Sequence, residues 1–287
     1  MSKDYTEEQQ MIVDLVREFC ENEIKSIESE IDLKAQIPEE LLKKLGEIGL
    51  YGMLVSEKYG GVDGSISALM SGIRELAKYS AAVSSLVLFH NALTCRIIEK
   101  YGNEEQKNTL LKELAIGKRI GTVVFGDNGS FLNLDDVKTD AEFNGEEYTI
   151  SGRKNVVLNG KYADLFIILA RIKEQFGFFI VDANNKGLSK GNPIELTGLK
   201  GNEVSSISFY SCKVSKDQII GDVDKTDEII KDLSDNVLLG LTSINVGISE
   251  SALKEATKYA NERKQFGKQI GTFEAVQAML ANIFIEE

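Results

Sequence analysis

The chain has 287 residues, of which 43% are hydrophobic and 27% charged, and its 33 Lys+Arg against 45 Asp+Glu give a formal charge of −12. That composition excludes a disordered chain and leaves room for about two globular domains. With no basic run to release counterions from a phosphate backbone, and with repulsion from anionic lipid, neither nucleic acid nor a membrane is expected among its partners.

In chain order, residues 1–118 read as an N-terminal helical domain. Thr6-Glu7-Glu8-Gln9 has the form of a capping box. Met11, Ile12, Leu15, Val16 and Phe19 then recur at helical spacing. Pro38 suits the first turn of the next helix, which carries Leu41, Leu42, Leu45 and Ile48. Lys58-Tyr59-Gly60-Gly61-Val62-Asp63-Gly64 is a glycine-rich turn, after which one long apolar helical stretch is expected through His90. Asn103-Glu104-Glu105-Gln106 opens another helix.

From residues 119–222 the period changes to short β-branched and aromatic runs: Thr122-Val123-Val124-Phe125, Glu147-Tyr148-Thr149-Ile150, Leu165-Phe166-Ile167-Ile168-Leu169, Phe178-Phe179-Ile180-Val181 and Ser206-Ile207-Ser208-Phe209-Tyr210. Asn144-Gly145, Asn159-Gly160, Asn184-Asn185 and Gly191-Asn192-Pro193 supply turn chemistry between them. A central antiparallel β domain is predicted. Residues 223–287 return to the helical period, which is expected to continue to Glu287. No internal repeat is evident.

Cys20, Cys95 and Cys212 are odd in number and far apart, and His90 is the sole histidine. A disulfide framework and a histidine-based metal centre are therefore excluded, and a Ser-His-Asp triad would have to run through His90. Without a leader or an apolar stretch of ~20 residues, a reduced cytoplasmic protein is expected. Gly60-Gly61 and residues 126–129 read as turns, His90 as a core residue, and Glu28, Glu30 and residues 222–235 as solvated charge. These features by themselves define an α+β protein and no reaction.

The order and wording of several segments resemble the acyl-CoA dehydrogenase family across essentially the whole chain. Thr6-Glu7-Glu8-Gln9-Gln10, Val16-Arg17-Glu18-Phe19, Glu57-Lys58-Tyr59-Gly60-Gly61 and Gly102-Asn103-Glu104-Glu105-Gln106-Lys107 are similar to its N-terminal helices. Ser151-Gly152-Arg153-Lys154 and Asn159-Gly160-Lys161-Tyr162-Ala163-Asp164 are similar to its β domain. The sharpest likeness is Arg263-Lys264-Gln265-Phe266-Gly267 to the family's R-x-Q-F-G signature, followed by Phe273-Glu274-Ala275-Val276-Gln277. The resemblance implies an α+β fold with an N-terminal helical domain, a central β domain and a truncated C-terminal helical bundle. It also implies FAD, an acyl-CoA or acyl-carrier-protein thioester as substrate, and α,β-desaturation. There a glutamate removes an α-proton that is acidic only when hydrogen bonds polarise the thioester carbonyl. Arg263 would contact the FAD diphosphate of a neighbouring subunit, with Phe266, Phe273 and Glu274 near the same cofactor.

Departures from the pattern fall on the pocket. Where the family reads T-E-P-x-A-G-S-D, this chain reads Gly126-Asp127-Asn128-Gly129-Ser130-Phe131-Leu132-Asn133. Gly126 stands for the threonine that meets the flavin pyrimidine edge, and Leu132 for a serine. W-I-T becomes Val156-Val157-Leu158, and D-x-x-R becomes Asp235-Asn236-Val237-Leu238 without its arginine. Val237 takes a place where some branches carry the catalytic glutamate. Phe125, Gly126, Val157 and Leu158 are thus expected at the cofactor through their main chain, Leu132 and Asp235 at the substrate, and no catalytic residue is expected in this chain. Glu286 and Glu287 fall too early to align with the family's base. Phe273, Val276, Leu280, Ile283 and Phe284 form an apolar face whose usual packing partners lie beyond residue 287, so an oligomer is expected: a homo-oligomer, or a heteromer with a complementary family subunit. The reading is a flavin-dependent oxidoreductase acting on the CH–CH bond of acyl thioesters, as one half of a split assembly. The alternative is a structural or binding subunit that has lost its own flavin chemistry.

Overall fold

The computed structural model describes residues 5–130 and 133–286, so Leu132 and Glu287 lie outside the described residues. Helices α1 (Glu7–Phe19), α2 (Glu28–Lys34), α3 (Glu39–Glu47), α4 (Ile66–Ala77), α5 (Ala81–Phe89), α6 (Arg96–Tyr101), α7 (Glu104–Gln106) and α8 (Lys112–Ala115) come first. The expected capping boxes form: Gln9 N–H donates to Thr6 Oγ1 and Gln106 N–H to Asn103 Oδ1, with each glutamine side chain returning to its cap N–H. Pro38 sits one position earlier than expected, as the cap of α3. The long apolar helix expected through His90 is broken near Ser80, whose hydroxyl accepts from Val83 N–H and starts α5.

A π-turn at His90–Cys95 joins α5 to α6, making one helical run, Ala81–Tyr101, of 21 residues. By length and composition alone this run could cross a membrane, which corrects the expectation that no such stretch exists. Its most apolar window is 89% buried inside the protein, as suits the central helix of a core.

Eight strands follow: β1 (Gly121–Val124), β2 (Asp140–Phe143), β3 (Glu147–Val157), β4 (Leu165–Ile172), β5 (Gln175–Asp182), β6 (Leu188–Pro193), β7 (Ser205–Ser215) and β8 (Ile219–Ile220). They form one sheet in the order β6-β7-β3-β2-β4-β5-β8. The sheet is not purely antiparallel as expected, because β1 pairs with β4 in parallel from Gly121↔Leu165 to Val124↔Ile168, and β2 meets β4 in parallel at Asp140↔Arg171. The fold class is unchanged by this.

Strand β4 explains how the sheet can be central. Its period-2 alternation sends Leu165, Ile167 and Leu169 into a core shared with the helices, and Phe166, Ile168 and Ala170 into a second core inside the sheet. Burial on both faces gives the unbroken apolar run seen in the sequence.

The helix expected to run from residue 223 to the end is instead two helices and a hairpin. Helix α9 (Thr226–Glu262) has 37 residues and spans about 55 Å. The short strands β9 (Lys264–Gln265) and β10 (Lys268–Gln269) then turn the chain into α10 (Glu274–Glu286). Ile229, Ile230, Leu233 and Val237 plug the first half of α9 into the core between the helices and the sheet. Gly240 and Gly247, two turns apart on one stripe, let it approach the N-terminal helices closely. A Cβ at Gly240 would overlap the Leu88 side chain, and one at Gly247 would run into the Arg74 carbonyl oxygen.

Ion pairs frame this contact. Arg96 holds Asp232 through two hydrogen bonds of 2.9 and 2.8 Å, Lys100 adds a third at 2.9 Å, and Glu250 pairs with Arg74 and Lys78. Burial alone would raise the Asp232 pKa, but the bonds from Arg96 and Lys100 outweigh it and hold the carboxyl below its ordinary value.

Two outcomes follow from this packing. Gly247→Ala lowers the urea midpoint, because about 1–3 kcal/mol of overpacking exceeds the ~1 kcal/mol gained in helix propensity. Since the folded pKa of Asp232 is depressed, its contribution is present above the unfolded value of about 3.9 and is lost as pH falls through the folded pKa. Asp232→Asn therefore removes stability at neutral pH and flattens the acid limb of a stability profile measured below about pH 4.

Candidate functional site

A cavity of about 300 Å³ opens where β1 ends, β3 ends and α9 crosses the helical run. Phe89 and Leu93 enter it from α5 and the π-turn, residues 122–126 from β1 and the loop after it, Gly129 and Ser130 from that loop, residues 156–158 from β3, and Ser234, Val237, Leu238 and Leu241 from α9. Phe89, Leu93, Phe125, Val157 and Val237 are buried and form the inner walls, whereas Val156, Leu238 and Leu241 are exposed at the rim. Phe125 is braced edge-to-face by Phe178, with ring centroids 5.7 Å apart.

Among the described residues, none lining the cavity carries a titratable side chain. His90 adjoins Phe89 yet turns away: its Nδ1 accepts from Gly121 N–H at 3.3 Å and its Nε2 donates to the Leu114 carbonyl at 3.1 Å. Burial pushes its pKa down to about 4, so it is a neutral core residue, as its apolar surroundings in the sequence predicted.

The wall at Phe125 and Gly126 is held from beneath by Lys154, whose side chain is 0% exposed. Its Nζ donates to the Phe125 carbonyl at 2.6 Å, Asp127 Oδ1 at 2.7 Å and the Leu169 carbonyl at 2.7 Å. Asp127 also accepts from Lys138 N–H, Thr139 N–H and Thr139 Oγ1. Burial lowers the Lys154 pKa, and Asp127 opposes that shift. The pair therefore sits in the interior with its polar capacity used, which is the condition for a tolerable buried charge.

Beyond Asp127 the loop folds on itself. Gly126 N–H donates to the Ser130 carbonyl at 2.8 Å, and Asn128 N–H to Asp136 Oδ2 at 2.9 Å. These Asn128 bonds hold the Asp136 carboxyl below its ordinary pKa. A Cβ on Gly126 would stand 2.5 Å from Asp136 Oδ2 and 2.6 Å from the Ser130 carbonyl oxygen, so no side chain fits there without reshaping the loop.

Of the site residues expected from the sequence, Phe125, Gly126, Val157 and Leu158 come together at this cavity. Asp235 does not: it is exposed, and its neighbours Ser234, Val237 and Leu238 line the cavity instead. Rotation of about 100° per residue on α9 separates it from them. Arg263, Phe266, Phe273 and Glu274 lie in the terminal hairpin and the start of α10, about 33 Å along α9 from Leu241. One chain cannot bring both groups to a single ring-sized ligand. In the hairpin, Phe266 and Gly267 form the turn with φ of 52° and 81°. Phe266 is 93% exposed, and its ring meets Phe273 edge-to-face at 6.3 Å. A fully exposed aromatic in left-handed backbone is strained, and nothing within the chain compensates it.

The expected apolar face of α10 is partly covered. Phe273, Val276 and Leu280 are half-buried, while Ile283 and Phe284 are exposed. No described residue of the helix is fully buried. Phe89, Leu93 and Ser234 were not anticipated as cavity residues. They are uncharged, carry no motif, and reach the site only through tertiary packing.

Lys154→Met removes the three bonds that root the cavity wall and leaves Asp127 with its remaining partners. A loss of about 3 kcal/mol in chemical denaturation is expected, at the low end for a broken buried pair.

The comparisons with known proteins agree with this geometry. Models of the acyl-CoA dehydrogenase N-terminal, middle and C-terminal domains match residues 6–118, 127–212 and 239–287. The short-chain-specific acyl-CoA dehydrogenase of Clostridium acetobutylicum is 32% identical over 99% of this chain and 76% of its own length. Butyryl-CoA dehydrogenase from Megasphaera elsdenii superposes with a TM-score of 0.93 at 27% identity, over 100% of this chain and 77% of that one. The prolyl acyl carrier protein oxidase AnaB superposes with a TM-score of 0.89 at 25% identity, over 98% and 76%. The chain belongs to the acyl-CoA dehydrogenase family, FAD-dependent oxidoreductases that act on the CH–CH bond of acyl thioesters.

Proposed function

We propose that this chain binds the flavin ring and the reacting acyl carbons of an acyl thioester in the cavity at β1, β3 and α9, and that a complementary family subunit completes the site in a cytoplasmic heteromer. The single observation that carries this reading is an apolar cavity open at one rim, in the fold of a flavin-dependent family, with no acid or base in its described lining. An α C–H bond needs a proton acceptor, and the acceptor must therefore come from outside this lining.

The residues present fit a flavin ring in part by shape and in part by main chain. Val157, Phe125 and Val237 offer buried apolar walls of the kind that line a pocket for an aromatic ring. Gly126 cannot present a hydroxyl, so at that position the polar edge of the ring meets main chain, as it does along residues 124–126 and 156–158. FAD, when bound, supplies the acceptor for the β-hydrogen as hydride. This chain's part is to hold the acyl chain against Phe89, Leu93 and Val237, to exclude water from it, and to keep the loop fixed through Lys154. The thioester carrier is coenzyme A or an acyl carrier protein.

Two surfaces support an assembly. Leu238, Leu239, Leu241 and Ile248 on α9, with Met279, Ile283, Phe284 and Ile285 on α10, are exposed along neighbouring helices. Each such side chain left in water forgoes roughly 1.5–3 kcal/mol of burial. Helices of a partner laid on this strip would also lie next to the rim at Leu238 and Leu241, where a carboxylate could reach the cavity. The hairpin with Arg263 and Phe266 lies too far from its own cavity to serve it and is assigned to a neighbour's FAD diphosphate.

A second reading, a binding subunit without redox chemistry, is favoured by the same lack of titratable lining. The visible spectrum separates the two. Flavin bands that bleach with an acyl-CoA in the complete assembly support the enzyme, while a colourless protein that takes up no FAD supports the binding subunit. Light scattering at micromolar concentration is expected to show an oligomer, and a monodisperse monomer would count against a covered α9–α10 face.

A further inference from the structure

Three hydroxyls line the cavity, and their protons are committed differently. Thr122 Oγ1 donates to the Leu158 carbonyl at 2.9 Å, and Ser234 Oγ to the Ile230 carbonyl at 2.6 Å. Ser130 Oγ instead accepts, taking the Asn133 N–H at 3.1 Å. That bond uses a lone pair and leaves the hydroxyl proton free to be donated, with no acceptor for it among the described residues.

The position of Ser130 is as informative as its proton. The hydrogen bond from Gly126 N–H to the Ser130 carbonyl closes the loop. It brings Ser130 Cβ to 3.1 Å from the point where a Cβ on Gly126 would stand. The Ser130 carbonyl and Cβ, with the Asp136 carboxylate, thus close around the place a side chain at residue 126 would take, and Ser130 also lines the cavity, in a loop rooted by Lys154 and Asp127. Asp136, which closes the other side of that space, is not among the lining residues, and as an ionised carboxylate it offers no proton.

We propose that Ser130 is the ligand-facing hydroxyl of this cavity and donates to an acceptor on the polar edge of the flavin ring, a role moved four residues along the loop from position 126. This rests on the reading that the cavity takes FAD. It explains how a glycine can occupy position 126 without leaving the ring edge to main-chain donors alone.

The test is a titration of FAD into the flavin-free assembly, followed by flavin fluorescence and the visible bands, for the wild type, Ser130→Ala and Ser130→Thr. Loss of one neutral hydrogen bond is expected to weaken FAD binding about fivefold in Ser130→Ala and to shift its visible bands. The flavin-free melting temperature is expected to stay unchanged, and Ser130→Thr to restore affinity. If Ser130→Ala binds FAD as the wild type does, or if its affinity falls only together with its melting temperature and threonine does not restore it, Ser130 is a turn residue and the proposal is overturned while the flavin reading stands. If the wild type itself takes up no FAD, the flavin reading fails, and the assignment of Ser130 with it.

Discussion

One ammonium group with no exposure to water ties the site to the fold. Lys154 leaves β3, passes beneath the end of β1 and reaches a carbonyl of β4, so two strands and the loop beyond β1 share one charge. Desolvating that charge is unfavourable, and Asp127 with two carbonyls offsets the cost only while all three stay in place. Apolar residues replacing both Lys154 and Asp127 would suit the core about as well in energy, but they would not dictate where the Phe125 carbonyl points. The gain is in geometry: the peptide after Phe125 is turned so that its N–H closes onto Ser130 and its Cα lies in the cavity wall. The cavity's shape is therefore set from inside the sheet and not by the ligand side.

The fold was legible wherever local physics and tertiary packing agree. Thr6 and Asn103 cap as their motifs require, and the run at residues 165–169 becomes a strand buried on both faces because its β-branched and aromatic residues have no polar side to show. Legibility failed where a tertiary partner decides. Strand β6, at residues 188–193, is almost wholly exposed and contains lysine, glycine and proline, so only its pairing with β7 makes it a strand. The parallel pairing of β1 with β4 depends on a crossover that no turn dipeptide announces. The break near Ser80 was hidden because apolar residues continue on both sides of it.

The site divides in the same way. Phe125, Gly126, Val157 and Leu158, read from a motif whose side chains had changed, come together at one cavity, since the backbone path of a strand end survives substitution. Asp235 falls outside the cavity lining because the rotation of α9 turns it to the surface while Ser234, Val237 and Leu238 line the cavity. Ser130 had no signal in the sequence. Its significance appears only when the loop brings it back against Gly126.

Helix α9 shows what this division means for catalysis. From its start to Gly247 it is committed to the core through Leu233 and Val237 and pressed close at Gly240 and Gly247, so it has little room to shift. Beyond Gly247 the helix is held far less firmly, with Ala260 its one buried residue among those described. The cavity opens along the firmly packed stretch, with buried Val237 at its inner wall and exposed Leu238 and Leu241 at its rim. A proton acceptor built into this packed stretch would sit among buried apolar side chains at all times, and its charged form would carry the desolvation cost whether or not an assembly had formed. An acceptor arriving over the rim avoids that penalty, because it is solvated until the assembly closes. The apolar lining is thus the environment in which a carboxylate delivered from outside would have its basicity raised on docking, tying proton abstraction to assembly.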